Sequence, residues 1–126
     1  MVRRKEIIEE TQPSLVISIH QNFYASSSPR GAQVFYNANN PSGNRLAIEL
    51  QNMLNNLYAE EGVKPRKETA AQYYMLECTT YPSVIVECGF LSNAKDETLL
   101  ISLAWQKKLS SAIAQGVAAY LSDGSV

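Results

Sequence analysis

The residues best placed to do chemistry in this sequence are His20 and Glu87. Each follows a short, intensely apolar run: Leu15-Val16-Ile17-Ser18-Ile19 before the imidazole, and Ser83-Val84-Ile85-Val86 before the carboxylate. Runs of this kind read as strands buried on both faces of a parallel sheet. In open α/β sheets, binding sites lie beyond the carboxyl ends of the strands. An imidazole and a carboxylate brought together at that edge suit metal ligation or general-base catalysis. Each residue also has a plainer reading. His20 alone serves as a strand-end histidine hydrogen-bonded to a loop, and Glu87 as an ion-pair partner of a basic side chain such as Arg30 or Arg66.

Those two strands need elements around them. Arg3 to Glu10 is helix-like and must stop near Pro13. After His20 comes the small-residue loop Ala25-Ser26-Ser27-Ser28-Pro29-Arg30-Gly31, and Ala32 to Tyr36 alternates as a second strand. Ser42 is the expected N-cap of a long helix whose Leu46, Leu50, Met53, Leu54 and Leu57 share one face. Gly62 stops it. Tyr73 to Cys78 reads as a third strand on its aromatic content. Asn93 is expected to cap a helix carrying Leu99, Leu100 and Leu103, followed by a last helix with Trp105, Leu109, Ile113, Val117 and Leu121 inward. Tyr73, Tyr74 and Trp105 are expected in packing, and the tail from Ser122 to Val126 is expected to fray. The fold class is α/β: a single-domain sandwich with a mostly parallel central sheet.

Bulk composition narrows the partners. The 126 residues include 45% hydrophobic and 18% charged side chains, with a formal charge of -1. No global field draws such a chain to nucleic acid or to an anionic membrane. No apolar run reaches the roughly eighteen residues of a membrane segment, and no targeting signal is legible. Cys78 and Cys88 sit in apolar stretches and read as buried thiols instead of a disulfide framework. A cysteine-histidine hydrolase using Cys88 and His20 is disfavoured, because Cys88 neither opens a helix nor lies in an electropositive setting.

Three segments, taken in order, resemble successive motifs of the amidase_3 family of zinc-dependent N-acetylmuramoyl-L-alanine amidases. They are Ile17-Ser18-Ile19-His20-Gln21-Asn22, Gly31-Ala32-Gln33-Val34-Phe35-Tyr36, and Pro82 through Glu87 to Asn93. The His-Gln-Asn form and the Gly-Ala-Gln-Val-Phe-Tyr strand are similar to the spore-cortex branch. The resemblance implies a sporulation-linked peptidoglycan hydrolase of the cell wall, extracellular space or spore cortex. It implies a zinc held by two histidines and a glutamate, with His20 as the last metal ligand and Glu87 as the catalytic base. Asn22 is a candidate substrate contact, against the simpler role of making a turn.

His20 is the only histidine of the sequence. The family's first histidine and its glutamate ligand belong to an upstream segment, so residues 1–126 are expected to be the C-terminal two-thirds of the domain, truncated at the N-terminus. Alone, the chain is then expected to hold zinc weakly or not at all, to be nearly inactive, and to form a homodimer or swapped assembly through its uncovered edge. The alternative is a catalytically dead peptidoglycan-binding or regulatory module.

Overall fold

A computed structural model describes residues 2–123. Helix α1 spans Val2–Thr11 and ends where Gln12 turns to a φ of 50° ahead of Pro13. Strand β1 follows at Val16–Asn22, then β2 at Gln33–Tyr36, α2 at Pro41–Ala59, β3 at Thr69–Ala70 and α3 at Tyr74–Glu77. Strand β4 covers Ser83–Phe90, and helices α4 (Ala94–Leu100) and α5 (Leu103–Asp123) complete the order. Of the expected frayed tail, Ser122 and Asp123 belong to α5, and residues 124–126 lie outside the described ones.

The four strands form one mixed sheet in the order β1-β4-β2-β3. The β1/β4 and β2/β3 joints are parallel, as the apolar runs suggest, while the central β4/β2 joint is antiparallel. One face of the sheet carries the core. Val34, Val84 and Val86 pack there with Leu46, Leu50 and Leu54 of α2 and with Trp105 and Leu109 of α5. The two helices approach closely at Gly116, where an added Cβ would stand 2.7 Å from a Leu50 methyl. The inward stripe of α5 runs through Trp105, Leu109, Ala112, Gly116 and Tyr120. That stripe leaves Ile113 and Val117 at its margin and Leu121 exposed, because the close approach at Gly116 rotates the contact face away from the larger residues.

Two expected elements differ. The N-cap of α2 is Asn40, two residues before Ser42: its Oδ1 accepts the Gly43 N–H at 3.0 Å and its Nδ2 donates to the Tyr81 carbonyl at 2.9 Å. Pro41 then occupies the first turn, where its missing N–H costs nothing. The stretch from Tyr73 to Cys78 is no strand. Residues Tyr74–Glu77 make the single helical turn α3, with Met75 and Leu76 buried, and Tyr73 and Tyr74 are largely exposed. Tyr73 meets Phe35 edge-on at 5.7 Å, and the local aromatic content that suggests a strand serves this contact instead. Trp105 is core, as expected, set edge-on to Tyr58 at 5.2 Å.

Candidate functional site

His20 and Glu87 are directly opposed: in the parallel β1/β4 register their Cα atoms are partners. Paired residues on adjacent strands project to the same face of a sheet, so imidazole and carboxylate share one surface. Strand alternation sets that surface opposite the Val86 face and its helical core. His20 is exposed, whereas Glu87 is half-buried. Strand β4 does not end at Val86, as its apolar run suggests, but continues to Phe90, so Glu87 is anchored by ladder bonds on both sides. Beyond the pair, Asn22 lies opposite Phe90, two residues on β1 matching three on β4. The extra residue is a bulge at Cys88-Gly89, the kind of irregularity that re-aims side chains.

Glu87 Oε2 is buried and has no hydrogen-bond partner among the described residues. Its carboxyl is held above the usual carboxylate range by desolvation, an effect partly offset by the positive field of His20. The ion pair that would explain it away does not form. Arg30 Nε binds Asp96 Oδ1 at 2.8 Å, and Arg66 donates from Nε to the Arg30 carbonyl and lies over the Phe90 ring. Gln33, the Cα partner of Glu87 on β2, sends its amide nitrogen to the Lys67 carbonyl at 2.8 Å.

Asp96, in the first turn of α4, carries no sequence signal of its role. It is fully buried and accepts three donors: Arg30 Nε, the Gly31 N–H at 2.9 Å and the Phe90 N–H at 3.1 Å. Asn93 does cap α4, accepting the N–H groups of Lys95 and Asp96. Tyr58 fixes the bulge from the other face by donating to the Cys88 carbonyl at 2.7 Å, and an added Cβ at Gly89 would stand 2.5 Å from that hydroxyl. No local pattern announces this network, since apart from the Phe90–Asp96 bond its partners lie 30 to 66 residues apart in the chain.

Asn22 turns inward on itself: its Oδ1 accepts the Phe23 N–H at 2.9 Å, and its carbonyl accepts the Leu91 N–H. Asn22 thus closes β1 against the end of β4. Cys88 packs in the core, where burial, helped by the Glu87 charge, pushes its thiol up to about 11 and leaves it a poor nucleophile.

A profile of one protein family covers residues 1–119 of the chain, and its description is N-acetylmuramoyl-L-alanine amidase, Amidase_3. This chain belongs to that family. Among its relatives, the germination-specific N-acetylmuramoyl-L-alanine amidase of Bacillus subtilis is 31% identical over 122 residues, covering 96% of this chain and 50% of that protein. LytC of the same organism, also an N-acetylmuramoyl-L-alanine amidase, is 34% identical over 111 residues, which are 86% of this chain and 22% of LytC. The CwlD amidase of Clostridioides difficile, solved in complex with the GerS lipoprotein, superposes with a TM-score of 0.87 at 35% identity, covering 94% of this chain and 60% of CwlD. The chain thus spans half or less of the length of these two curated relatives.

Members of the Amidase_3 family are generally zinc-dependent. His20 supplies an accessible imidazole, and Glu87 Oε2 is an oxygen without a donor. A catalytic zinc takes three protein ligands. Among the described residues no three His, Cys, Asp or Glu side chains converge. The residues present therefore do not by themselves fit the metal.

The raised Glu87 ionisation has a sign that stability measurements can read. The folded state holds the proton more tightly than the unfolded chain, whose ordinary value is 4.5. The stabilising contribution of protonation is complete below that value and is lost as pH rises through the folded value. Glu87→Gln is expected to melt at a higher temperature than the parent at neutral pH, with the gain vanishing below about pH 4. Thermal melts across this range check it, and an unchanged or lower melting temperature at neutral pH would contradict the desolvated carboxylate.

Proposed function

We propose that this chain is the Glu87-bearing part of a peptidoglycan hydrolase that cleaves the amide bond between N-acetylmuramic acid and the L-alanine of the stem peptide. The observation that carries the reading is the unpartnered, half-buried Glu87 carboxylate opposed to His20 on the face of the sheet away from the helical core, in a chain of the amidase family. In its ionised form Glu87 takes a proton from a water that attacks the amide carbonyl. The same carboxyl then returns the proton to the departing alanine nitrogen as the C–N bond breaks, which leaves a carboxylic acid on the muramoyl lactyl group and a free amine on the peptide. Desolvation makes this carboxylate a stronger base than an exposed one, and general-base catalysis of this kind contributes about 10²–10⁴-fold. His20 is the proposed metal-ligating imidazole, and Asn22, two residues along the same strand, is the proposed substrate contact.

His20 is one ligand where a catalytic zinc wants three. In this proposal residues 1–126 correspond to the C-terminal two-thirds of the domain, the other donors come from polypeptide outside them, and this stretch alone holds zinc weakly and has little activity. The identity to a germination-specific relative and to CwlD favours a cell-wall or spore-cortex setting. The incomplete donor set equally motivates a second reading, a peptidoglycan-binding or regulatory module without catalysis. No described helix is long and apolar enough to cross a membrane.

Strand β1 is an edge of the sheet, with Ile19 61% exposed and Phe23 72% exposed. Open edges of this kind pair with other chains. We infer self-association as a homodimer or swapped assembly, so the mass from light scattering is expected to rise with concentration; a monomer at all concentrations would refute it. For catalysis, the decisive assay measures amine release from muropeptides by the chain joined to the N-terminal part of its Bacillus subtilis germination-specific relative. Glu87→Gln is expected to lower the rate by about a hundredfold or more while bound zinc is retained. Equal rates would remove Glu87 from the mechanism, and no release from either protein would favour the binding module.

A further inference from the structure

The cations that leave Glu87 unpaired gather at a second feature of the same rim. A cavity of about 450 Å³ opens between residues 28–30 and 62–66. Arg30, Lys64 and Arg66 line it, and no acidic side chain does. Arg30 is bound to Asp96 through Nε, yet Nη2 of the same guanidinium is buried without a hydrogen-bond partner. Arg66 is held in place by its bond to the Arg30 carbonyl at 3.0 Å and by the Phe90 ring 5.0 Å away. Neither Lys64 nor Arg66 has a carboxylate within ion-pair distance among the described residues. In a chain of net charge -1, this is a local excess of positive charge, presented by a side chain already fixed in orientation.

The position of the cavity relative to Glu87 follows from its contacts with Phe90. Arg66 lies over the ring of Phe90, and Arg30 shares the Asp96 carboxylate with the Phe90 N–H, so the cavity lines up with Phe90, three residues after Glu87 on β4. At about 3.3 Å per residue the separation along the rim is roughly 10 Å. An extended peptide covers the same distance in about three residues.

We propose that this cavity is a carboxylate subsite, which receives an acid group of a peptide two or three residues from the amide presented to Glu87. The assignment rests on the hydrolase reading above and deepens it: the ligand is an acidic peptide. Val63, Pro29 and Pro65 give the cavity an apolar wall suited to the methylenes of an acidic residue. A polyphosphate chain, in contrast, is gripped by cations repeated along its length. Arg66 supplies the planar fork for the carboxylate, Lys64 a mobile second charge, and Arg30 the rigid floor.

Isothermal titration of this chain with L-alanyl-γ-D-glutamyl-meso-diaminopimelate, and with the same peptide amidated at its carboxyl groups, tests the subsite without requiring catalysis. The acidic peptide is expected to bind, and amidation to weaken it by about tenfold or more. Lys64 is exposed and makes no hydrogen bond or ion pair among the described residues, so Lys64→Gln leaves the fold intact. That variant and Arg66→Gln are each expected to weaken binding. No binding, affinity unchanged by amidation and by Lys64→Gln, or displacement of the peptide by an equal concentration of inorganic phosphate would each overturn the subsite. The two readings fail separately. Charge-dependent binding without amide hydrolysis in the joined protein sinks the hydrolase and spares the subsite; hydrolysis with charge-independent binding does the reverse.

Discussion

A half-desolvated carboxylate on the second strand of the sheet, lacking a donor for one of its oxygens, is the constraint around which this structure is arranged. Strand β4 is hydrogen-bonded along both edges, to β1 on one side and to β2 on the other, so the backbone at Glu87 is fixed and its side chain is held on one face of the sheet. Burying an ionisable group in this way opposes its charged form. A fold selected only for stability would place a guanidinium beside it. Two are near the same rim, and each is turned to another partner through its Nε.

The contrast with Asp96 makes the point sharper. Asp96 is more deeply buried than Glu87 and is fully provided with donors: a guanidinium nitrogen and two backbone N–H groups. It joins the loop before β2, the end of β4 and the start of α4 into one rigid piece. Tyr58 completes that piece from beneath by holding the Cys88 carbonyl. The carboxylate that is satisfied holds the scaffold, and the one left unsatisfied shares its face of the sheet with the lone histidine. Such a division is the usual mark of a site where chemistry takes precedence over stability.

Both members of the pair are legible in the sequence because each closes an apolar run of strand length, and parallel pairing then brings the run ends together. The long helix α2 is equally legible, since its leucines recur at three and four residues and four of them are buried. What the sequence hides is of longer range. Asp96 looks like an ordinary first-turn acid until Arg30, 66 residues earlier, is brought against it. Tyr73 to Cys78 is rich in aromatics yet folds as a helical turn, because Phe35 offers one ring an edge contact and the core takes Met75 and Leu76. The bulge after Glu87 has no signal except Gly89, whose missing Cβ leaves room for the Tyr58 hydroxyl.

The most direct test of the account is a titration of the Glu87 side-chain carboxyl by carbon-13 NMR, in the parent chain and in His20→Ala. The account predicts a midpoint above 4.5 in the parent, from desolvation, and a still higher one once the neighbouring imidazole is removed. A midpoint at or below 4.5, or one indifferent to the loss of His20, would mean that the carboxylate is solvated or paired elsewhere and that the two residues do not share a site.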